Sequence, residues 1–275
     1  MGDGINLGRS RQWLGQGARF LRGAAKGQHL GRTSMVFVVG CQRSGTSMVL
    51  DVLDRGASVW TFGENHPAVA RNYRLRSAVR LRVVARGTPA RCVVFKPLCD
   101  SQWTDRLLVE HPAARALWMY RRPFDVARSA NVKWADHQRD VLRRMHVRDW
   151  DALGWRGERL SETVLAAVDA HYRAEMTLAS ASVLYWWVRN LLYFELGLAE
   201  DPRVLPVRYE PLVQEPEPSF RAVFGFLGLP FVPDSVAHVH ARSVQTGSDP
   251  SVDPEIAEMA QELLERLDRS ERPSP

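Results

Sequence analysis

A glycine-rich turn follows the first apolar segment of the chain. Met35–Val39 ends at Gly40, the turn reads Gly40-Cys-Gln-Arg-Ser-Gly-Thr-Ser47, and a helix-like run begins at Thr46. The spacing G-x-x-x-x-G-x-[ST] between a predicted strand and a predicted helix is that of a P-loop, in which backbone N–H groups and a helix N terminus hold phosphate. The sequence therefore predicts a phosphate site formed by the loop residues Gln42, Arg43, Ser44, Gly45, Thr46 and Ser47.

The charges of this loop differ from those of nucleoside-triphosphate enzymes. Thr46 stands where such enzymes place a lysine, and the cation of the loop is Arg43. No apolar run ends in an aspartate suited to hold Mg²⁺, because the runs end in Gly40, Lys96, Arg121 and Tyr209-Glu210. A metal-dependent phosphoryl transfer would lack both of its main charge stabilisers. We therefore expect no metal at the site and keep a P-loop small-molecule kinase only as an alternative.

Short apolar strands alternate with helical segments along the rest of the chain. Strands are predicted at residues 35–39, 91–96, 115–120 and 203–208, and residues 134–200 are expected to be almost wholly helical. This alternation predicts an α/β fold, with a largely parallel sheet covered by helices on both faces. We expect one domain over residues 35–275 with a helical insert at about 134–200. Charged residues interrupt the apolar stretch Ala181–Leu198, which we interpret as a buried helix.

Three sequence blocks resemble the family of sulfotransferases that use 3′-phosphoadenylyl sulfate (PAPS). The first is Arg-Ser-Gly-Thr-Ser in the loop, and the second is Tyr120-Arg-Arg-Pro-Phe-Asp-Val-Ala-Arg-Ser129, similar to R-x-P-x-D-x-x-x-S. The third is Tyr209-Glu-Pro-Leu with Phe226-Leu-Gly228, similar to Y-E-x-L…F-L-G. The resemblance spans residues 35–230. It implies a P-loop-like fold and metal-free, in-line transfer of a sulfuryl group from PAPS to a hydroxyl or amine of a small-molecule, glycan or lipid acceptor.

The resemblance also implies which residues bind the nucleotide. Arg121 and Ser129 would bind the 3′-phosphate of PAPS, since a guanidinium offers a rigid fork to phosphate and a serine adds a neutral donor. The alternative for Arg121 is an ion pair with Asp125. Tyr209 matches a residue that contacts the nucleotide, and a buried core tyrosine is the equal alternative. The C-terminal loop departs from the R-K-G…G of cytosolic members, and its candidates for a phosphate contact are Arg242 and Ser243.

Four side chains are candidates for the chemistry. Arg43 and Lys96 are expected to stabilise the leaving group or the sulfonate. Cytosolic members use a histidine after the second strand as a base, where this chain has Lys96-Pro-Leu. Glu64 matches the glutamate base of the branch that includes the tyrosylprotein sulfotransferases, so we favour it as general base, with His66 second. A catalytically inactive PAPS-binding module is the non-enzymatic alternative.

The positive charge of the chain is concentrated at its start. Residues 1–34 hold six cations and one aspartate, or +5 of the net +6. We interpret this segment as a flexible basic leader, with a weak membrane-surface contact as the alternative. The nearly neutral remainder argues against nucleic acid as a partner. Three cysteines without CxxC spacing, and no visible signal peptide, predict a cytoplasmic location.

Overall fold

The computed structural model describes residues 33–56, 58–241, 244 and 249–270. Its strands are β1 (Ser34–Gly40), β2 (Val59–Phe62), β3 (Ala70–Arg71), β4 (Arg74–Leu75), β5 (Cys92–Phe95), β6 (Arg115–Tyr120) and β7 (Val204–Arg208). Five of them form one sheet in the order β2-β5-β1-β6-β7, while β3 and β4 form a separate antiparallel hairpin. All neighbours in the large sheet are parallel. Because β1 is central, the turn that follows it lies in the middle of the carboxyl edge of the sheet.

Helices cover both faces of the sheet, as the sequence predicts. Side chains alternate along β1, so Val36 and Val38 enter one apolar cluster while Phe37 and Val39 enter the other. The first cluster is covered by the helices Thr46–Asp54, Tyr209–Gln214 and Pro216–Leu227. The second is covered by Ala78–Gly87, Thr104–Glu110, Pro123–Trp134, His137–His146, Trp150–Leu153, Glu162–His171, Leu178–Glu195 and Pro254–Ser270. Short 3₁₀ turns occupy Leu98–Trp103, Gly154–Gly157 and Pro233–Val236.

The predicted α/β class and its four strands are confirmed, and two details differ. The fifth strand, β2, was not predicted because its four residues, Val-Trp-Thr-Phe, are too short to show a strand period. The predicted helical insert is divided into separate helices, since Arg148 and Gly154 adopt positive φ values of 59° and 53° that end a right-handed helix. Residues 1–32, Arg242 and Ser243, on which three of the predictions fall, lie outside the described residues.

The helix Leu178–Glu195 is the central packing element on its side of the sheet. Fifteen of its eighteen residues are buried, and they include Arg189. The interpretation of the apolar stretch at residues 181–198 as a buried helix is therefore confirmed over most of its length. None of the described helices has the length and apolarity needed to span a membrane.

Candidate active site

The turn after β1 presents a row of backbone donors. None of the N–H groups of residues 42–47 donates a hydrogen bond to another described residue. The start of the turn is anchored, because Gly40 N donates to Ser101 Oγ at 3.1 Å and Cys41 N donates to Met119 O at 3.2 Å. Unpaired consecutive N–H groups at a helix N terminus form a concave site for an anion.

The backbone path of this turn depends on its glycines. Gly45 has a φ of 82°, and a Cβ at this position would lie 2.3 Å from Tyr209 Cδ2. Gly40 has a φ of 114°, and a Cβ there would lie 2.3 Å from Met119 O. Arg43 adopts a φ of 68° although it carries a side chain. Positive φ at a non-glycine residue is costly and clusters at functional sites, so this turn has the features of a binding loop.

Two guanidinium groups and a serine meet beside the turn. Arg43 Nε donates to Ser129 Oγ at 2.9 Å, and Arg121 Nη1 donates to the Arg43 carbonyl at 3.4 Å. Arg43 forms no ion pair with a carboxylate in the described part of the chain. Burial and the nearby charge of Arg121 lower the pKa of the Arg43 guanidinium. The predicted phosphate ligands are therefore brought together, in surroundings that favour an added negative charge.

Tyr209 lies between the turn and the second arginine. Its ring contacts the backbone at Gly45, and the Arg121 guanidinium carbon lies 4.4 Å from the ring centre. The residue is 8% exposed, but it belongs to neither apolar cluster. Tyr209 is thus buried against the site itself, and its contact with a nucleotide stays a prediction.

Glu210 and Asp125, the acidic residues of the third and second sequence blocks, have structural partners. Glu210 accepts hydrogen bonds from Arg122 N at 2.9 Å and Arg208 Nε at 3.1 Å, which joins the carboxyl ends of β6 and β7. Asp125 forms an ion pair with Arg128, one turn later on the helix Pro123–Trp134. These contacts fix the segments that carry Arg121 and Tyr209.

A second group of polar side chains lies at the ends of β2, β5 and β1. Lys96 Nζ donates to Ser47 Oγ at 3.0 Å and lies 3.6 Å from Glu64 Oε1. The lysine side chain is 9% exposed and the glutamate side chain 33% exposed. A lysine between the phosphate loop and a carboxylate can stabilise charge on one side while the carboxylate accepts a proton on the other.

His66, the second candidate base, helps to shape its own loop. Its Nδ1 accepts a hydrogen bond from Ala68 N at 3.2 Å, and its ring packs edge-on against Phe62 with the centroids 4.9 Å apart. Burial lowers the pKa of His66. One ring nitrogen is therefore already engaged, and a catalytic role for His66 stays a prediction.

The loop side chains differ in what they can offer a ligand. Ser44 and Thr46 are buried, at 0% and 4% exposure, and the buried Ser44 Oγ has no hydrogen-bond partner. Ser47 is exposed, while the buried Gln42 Oε1 has no hydrogen-bond partner.

A buried arginine beneath the site was not predicted. Arg189 is 2% exposed, and it donates from Nη2 to Gln102 Oε1 at 3.4 Å, while its Nε has no hydrogen-bond partner. Its charge acts on the Cys41 thiol, whose pKa burial raises to about 12, and on the Cys99 thiol, whose pKa burial and the charge of Glu64 raise to about 11. Arg189 therefore adds positive charge below the candidate site. The available signal was a basic residue inside an otherwise apolar helix.

Comparisons with known proteins point to one family. A family model described as "Sulfotransferase domain" matches residues 33–248. No curated protein matches the chain.

Three solved structures that match the chain are described as sulfotransferases. A sulfotransferase domain from the curacin biosynthetic pathway has 14% identity and a TM-score of 0.48, over 86% of this chain and 98% of that one. Sulfotransferase STF9 from Mycobacterium avium has 12% identity and a TM-score of 0.45, over 94% and 80%. A mouse sulfotransferase complexed with PAP has 17% identity and a TM-score of 0.41, over 89% and 70%. The similarity to each of them is distant.

Proposed function

The chain belongs to the sulfotransferase-domain family, and we propose that it transfers a sulfuryl group from PAPS to a hydroxyl or amine of an acceptor. The observation that best supports PAPS as donor is the turn at residues 42–47, whose N–H groups are unpaired beside Arg43 and Arg121. PAPS carries phosphate groups and a sulfate, and needs such donors. The family leaves the acceptor open, and we keep small-molecule, glycan and lipid acceptors.

The residues around the turn fit the anionic groups of PAPS. The N–H groups of residues 42–47 would hold the phosphosulfate, and Arg121 with Ser129 would hold the 3′-phosphate. Tyr209 would contact the nucleotide while it keeps Arg121 in place. Support comes from the electrostatics, because the charge of Arg121 and burial lower the pKa of Arg43, and a bound anion would relieve this repulsion.

PAPS supplies the sulfuryl group, which is bonded to a phosphate oxygen, and the phosphate is the leaving group. Glu64 would remove the proton from the acceptor hydroxyl or amine as the acceptor atom bonds to sulfur and the bond between sulfur and the phosphate oxygen breaks. Lys96 and Arg43 would stabilise the negative charge that develops on that oxygen. The 3.0 Å contact of Lys96 with Ser47 and its 3.6 Å approach to Glu64 support these roles. We expect no metal in this reaction. The three cysteines are buried and free, which supports a reducing compartment such as the cytoplasm.

The Glu64→Gln variant tests catalysis separately from binding. We expect turnover of PAPS, assayed with a panel of phenol, amine and glycolipid acceptors, to fall by about 100- to 10,000-fold. Affinity for 3′,5′-adenosine bisphosphate (PAP), the product of PAPS, should be kept. Glu162→Gln is the matched control, because Glu162 is an exposed glutamate at the start of the helix Glu162–His171 and contacts none of the candidate site residues that the structure describes. If wild-type protein binds PAP but transfers sulfuryl to none of the acceptors in the panel, the result favours an inactive PAPS-binding module. If it binds ATP–Mg²⁺ in place of PAP, the kinase alternative holds.

A further inference from the structure

An arginine-rich segment follows the loop that carries Glu64. Seven arginines lie between Arg71 and Arg91, and no aspartate or glutamate occurs from Asn65 to Cys99. Arg74 forms ion pairs with Asp100 and Glu158. Among the described residues, none of the other six is in an ion pair: Arg71, Arg76, Arg80, Arg82, Arg86 and Arg91. A dense, largely uncompensated positive charge therefore lies on one part of the surface.

The hairpin of β3 and β4 and the helix Ala78–Gly87 arrange these arginines around an open cleft. The cleft has a volume of about 650 Å³, and four arginines line it: Arg71, Arg74, Arg76 and Arg80. Arg76 Nε donates to the Pro67 carbonyl and Arg80 Nε to the Ala68 carbonyl, both at 3.0 Å. These bonds fix the two arginines to the loop of Glu64, and leave their terminal nitrogens for a ligand.

Exposed apolar side chains lie among the arginines. Tyr73 is 48% exposed, Val79 60% and Val83 55%. Val79 and Val83 are four residues apart on the helix Ala78–Gly87, so they share one face. Val109, at 74%, precedes Glu110, whose carbonyl accepts a hydrogen bond from Arg82 Nη1. Three of the seven large hydrophobic side chains that are exposed in the described part of the chain thus belong to the arginine-rich segment, and a fourth, Val109, lies beside a residue that this segment contacts.

We propose that this surface, the arginine face (residues 71–91 with Val109), binds the surface of an anionic lipid bilayer. Arginines are attracted to the negative potential of the headgroups, and apolar side chains between them enter the boundary with the acyl chains. The exposed valines favour a lipid bilayer over a soluble polyanion as the partner. A soluble polyanion such as nucleic acid would use the guanidinium groups, and it would gain little from valines. Membrane binding does not depend on the proposed sulfotransferase activity.

Co-sedimentation of the full chain with lipid vesicles tests the proposal. Wild-type protein should bind vesicles made of an equal mixture of phosphatidylglycerol and phosphatidylcholine. It should not bind vesicles made of phosphatidylcholine alone. The face variant is Arg71→Ser, Arg76→Ser, Arg80→Ser and Arg86→Ser. Because each arginine near an anionic surface adds to binding, its partition coefficient should be at least about 100-fold lower. Val79→Ser with Val83→Ser should also weaken binding, by about tenfold. Circular dichroism should show that both variants stay folded.

Two variants with the same loss of charge serve as controls. One changes four ion-paired arginines elsewhere to serine: Arg139, Arg143, Arg221 and Arg269. The other changes four arginines of the N-terminal segment to serine: Arg9, Arg11, Arg19 and Arg22. Both should keep most of the vesicle binding.

Three outcomes would overturn the proposal. The first is that wild-type protein does not bind the anionic vesicles. The second is that the N-terminal variant loses binding while the face variant keeps it, which would assign the contact to residues 1–34. The third is that polyglutamate or nucleic acid competes fully and the two valine substitutions have no effect, which would make the face a site for a soluble polyanion.

Discussion

Arginines of this protein lie in two opposite electrostatic situations. At the loop edge, which consists of Arg43 and Arg121, burial and the charge of Arg121 lower the pKa of Arg43, and Arg43 has no carboxylate partner among the described residues. In the Glu158 cluster, which consists of Arg74, Asp100 and Glu158, Arg74 donates to Glu158 at 2.7 and 2.9 Å and to Asp100 at 2.6 Å. Nearby, Arg159 pairs with Asp105 in the same two-pronged way, at 2.5 and 2.9 Å.

The difference separates arginines with carboxylate partners from the arginines that we propose bind an anion. Burial raises the pKa of Glu158, but hydrogen bonds from Arg74, Trp103 and Gln102 outweigh it and lower the pKa overall. The folded state therefore favours the charged pair. At the loop edge, burial and the charge of Arg121 disfavour the charged form of Arg43 in the absence of an anion. The same residue type thus predicts either a structural or a binding role, depending on whether a carboxylate faces it.

Arg43→Ala should produce the largest functional effect. We expect turnover to fall by about 100- to 1000-fold, because a cation that stabilises the leaving group is lost. The free energy of unfolding should change by less than about 0.5 kcal/mol or increase, since repulsion with Arg121 is removed. Steady-state kinetics and urea denaturation measure the two quantities. A loss of stability as large as that of Arg159→Ala would remove the distinction between the two regions.

Gly45→Ala should disturb the loop edge through its backbone. The φ of 82° and the 2.3 Å approach of the added Cβ to Tyr209 Cδ2 would displace either the turn or the tyrosine. We expect a decrease of about 2 kcal/mol in the free energy of unfolding, together with weaker PAP binding. Gly63→Ala is the control, because a Cβ there meets nothing within 4 Å. If both substitutions have equal effects, the packing of Tyr209 on the turn is not what holds the loop.

Glu158→Gln should affect stability and spare the site. Losing the charge that Arg74 and Trp103 contact should lower the free energy of unfolding by about 1–2 kcal/mol, as measured by urea denaturation near neutral pH. PAP affinity should stay unchanged in calorimetry. A matching loss of PAP affinity would show that the Glu158 cluster and the loop edge are coupled.

The smallest expected effect is the change with pH in the difference between the free energies of unfolding of the wild-type and Glu158→Gln proteins. The pKa of Glu158 lies below its ordinary value of 4.5 in the folded protein. Its contribution is therefore fully present above the unfolded pKa and is lost as the pH falls through the lower, folded pKa. The gap in stability between wild-type and Glu158→Gln protein should narrow as the pH decreases from about 6 to about 3. A gap that widens on acidification would contradict the direction of the shift.

The sequence could place residues that follow the strands of the sheet. Arg43 follows β1 and Arg121 follows β6, and these strands are parallel neighbours, so their ends meet. Lys96 follows β5, which pairs with β1 on its other side. Glu64 follows β2, a strand that was not predicted, so only the family resemblance indicated this residue. This rule predicts which side chains approach the turn, although it does not test their roles.

Contacts between distant segments could not be predicted in the same way. Arg74 and Glu158 are 84 residues apart, and Arg189 reaches Gln102 across 87 residues. Neither pair follows from a strand end, because each depends on how the helices pack over the sheet. For a similar reason, the sequence could not distinguish between a nucleotide contact and a core position for Tyr209. Only the packed structure shows that a buried tyrosine contacts the loop.

We propose that the loop edge binds the anionic groups of a nucleotide while the paired arginines do not. Calorimetric titration with PAP of the wild-type, Arg121→Ala and Arg159→Ala proteins tests this difference. We predict that wild-type and Arg159→Ala bind PAP alike, and that Arg121→Ala binds about 100-fold more weakly, since a charge-assisted phosphate contact is lost. Equal binding of PAP by Arg121→Ala, or a preference for ATP–Mg²⁺ over PAP in the wild type, would show that the loop edge is not a PAP site.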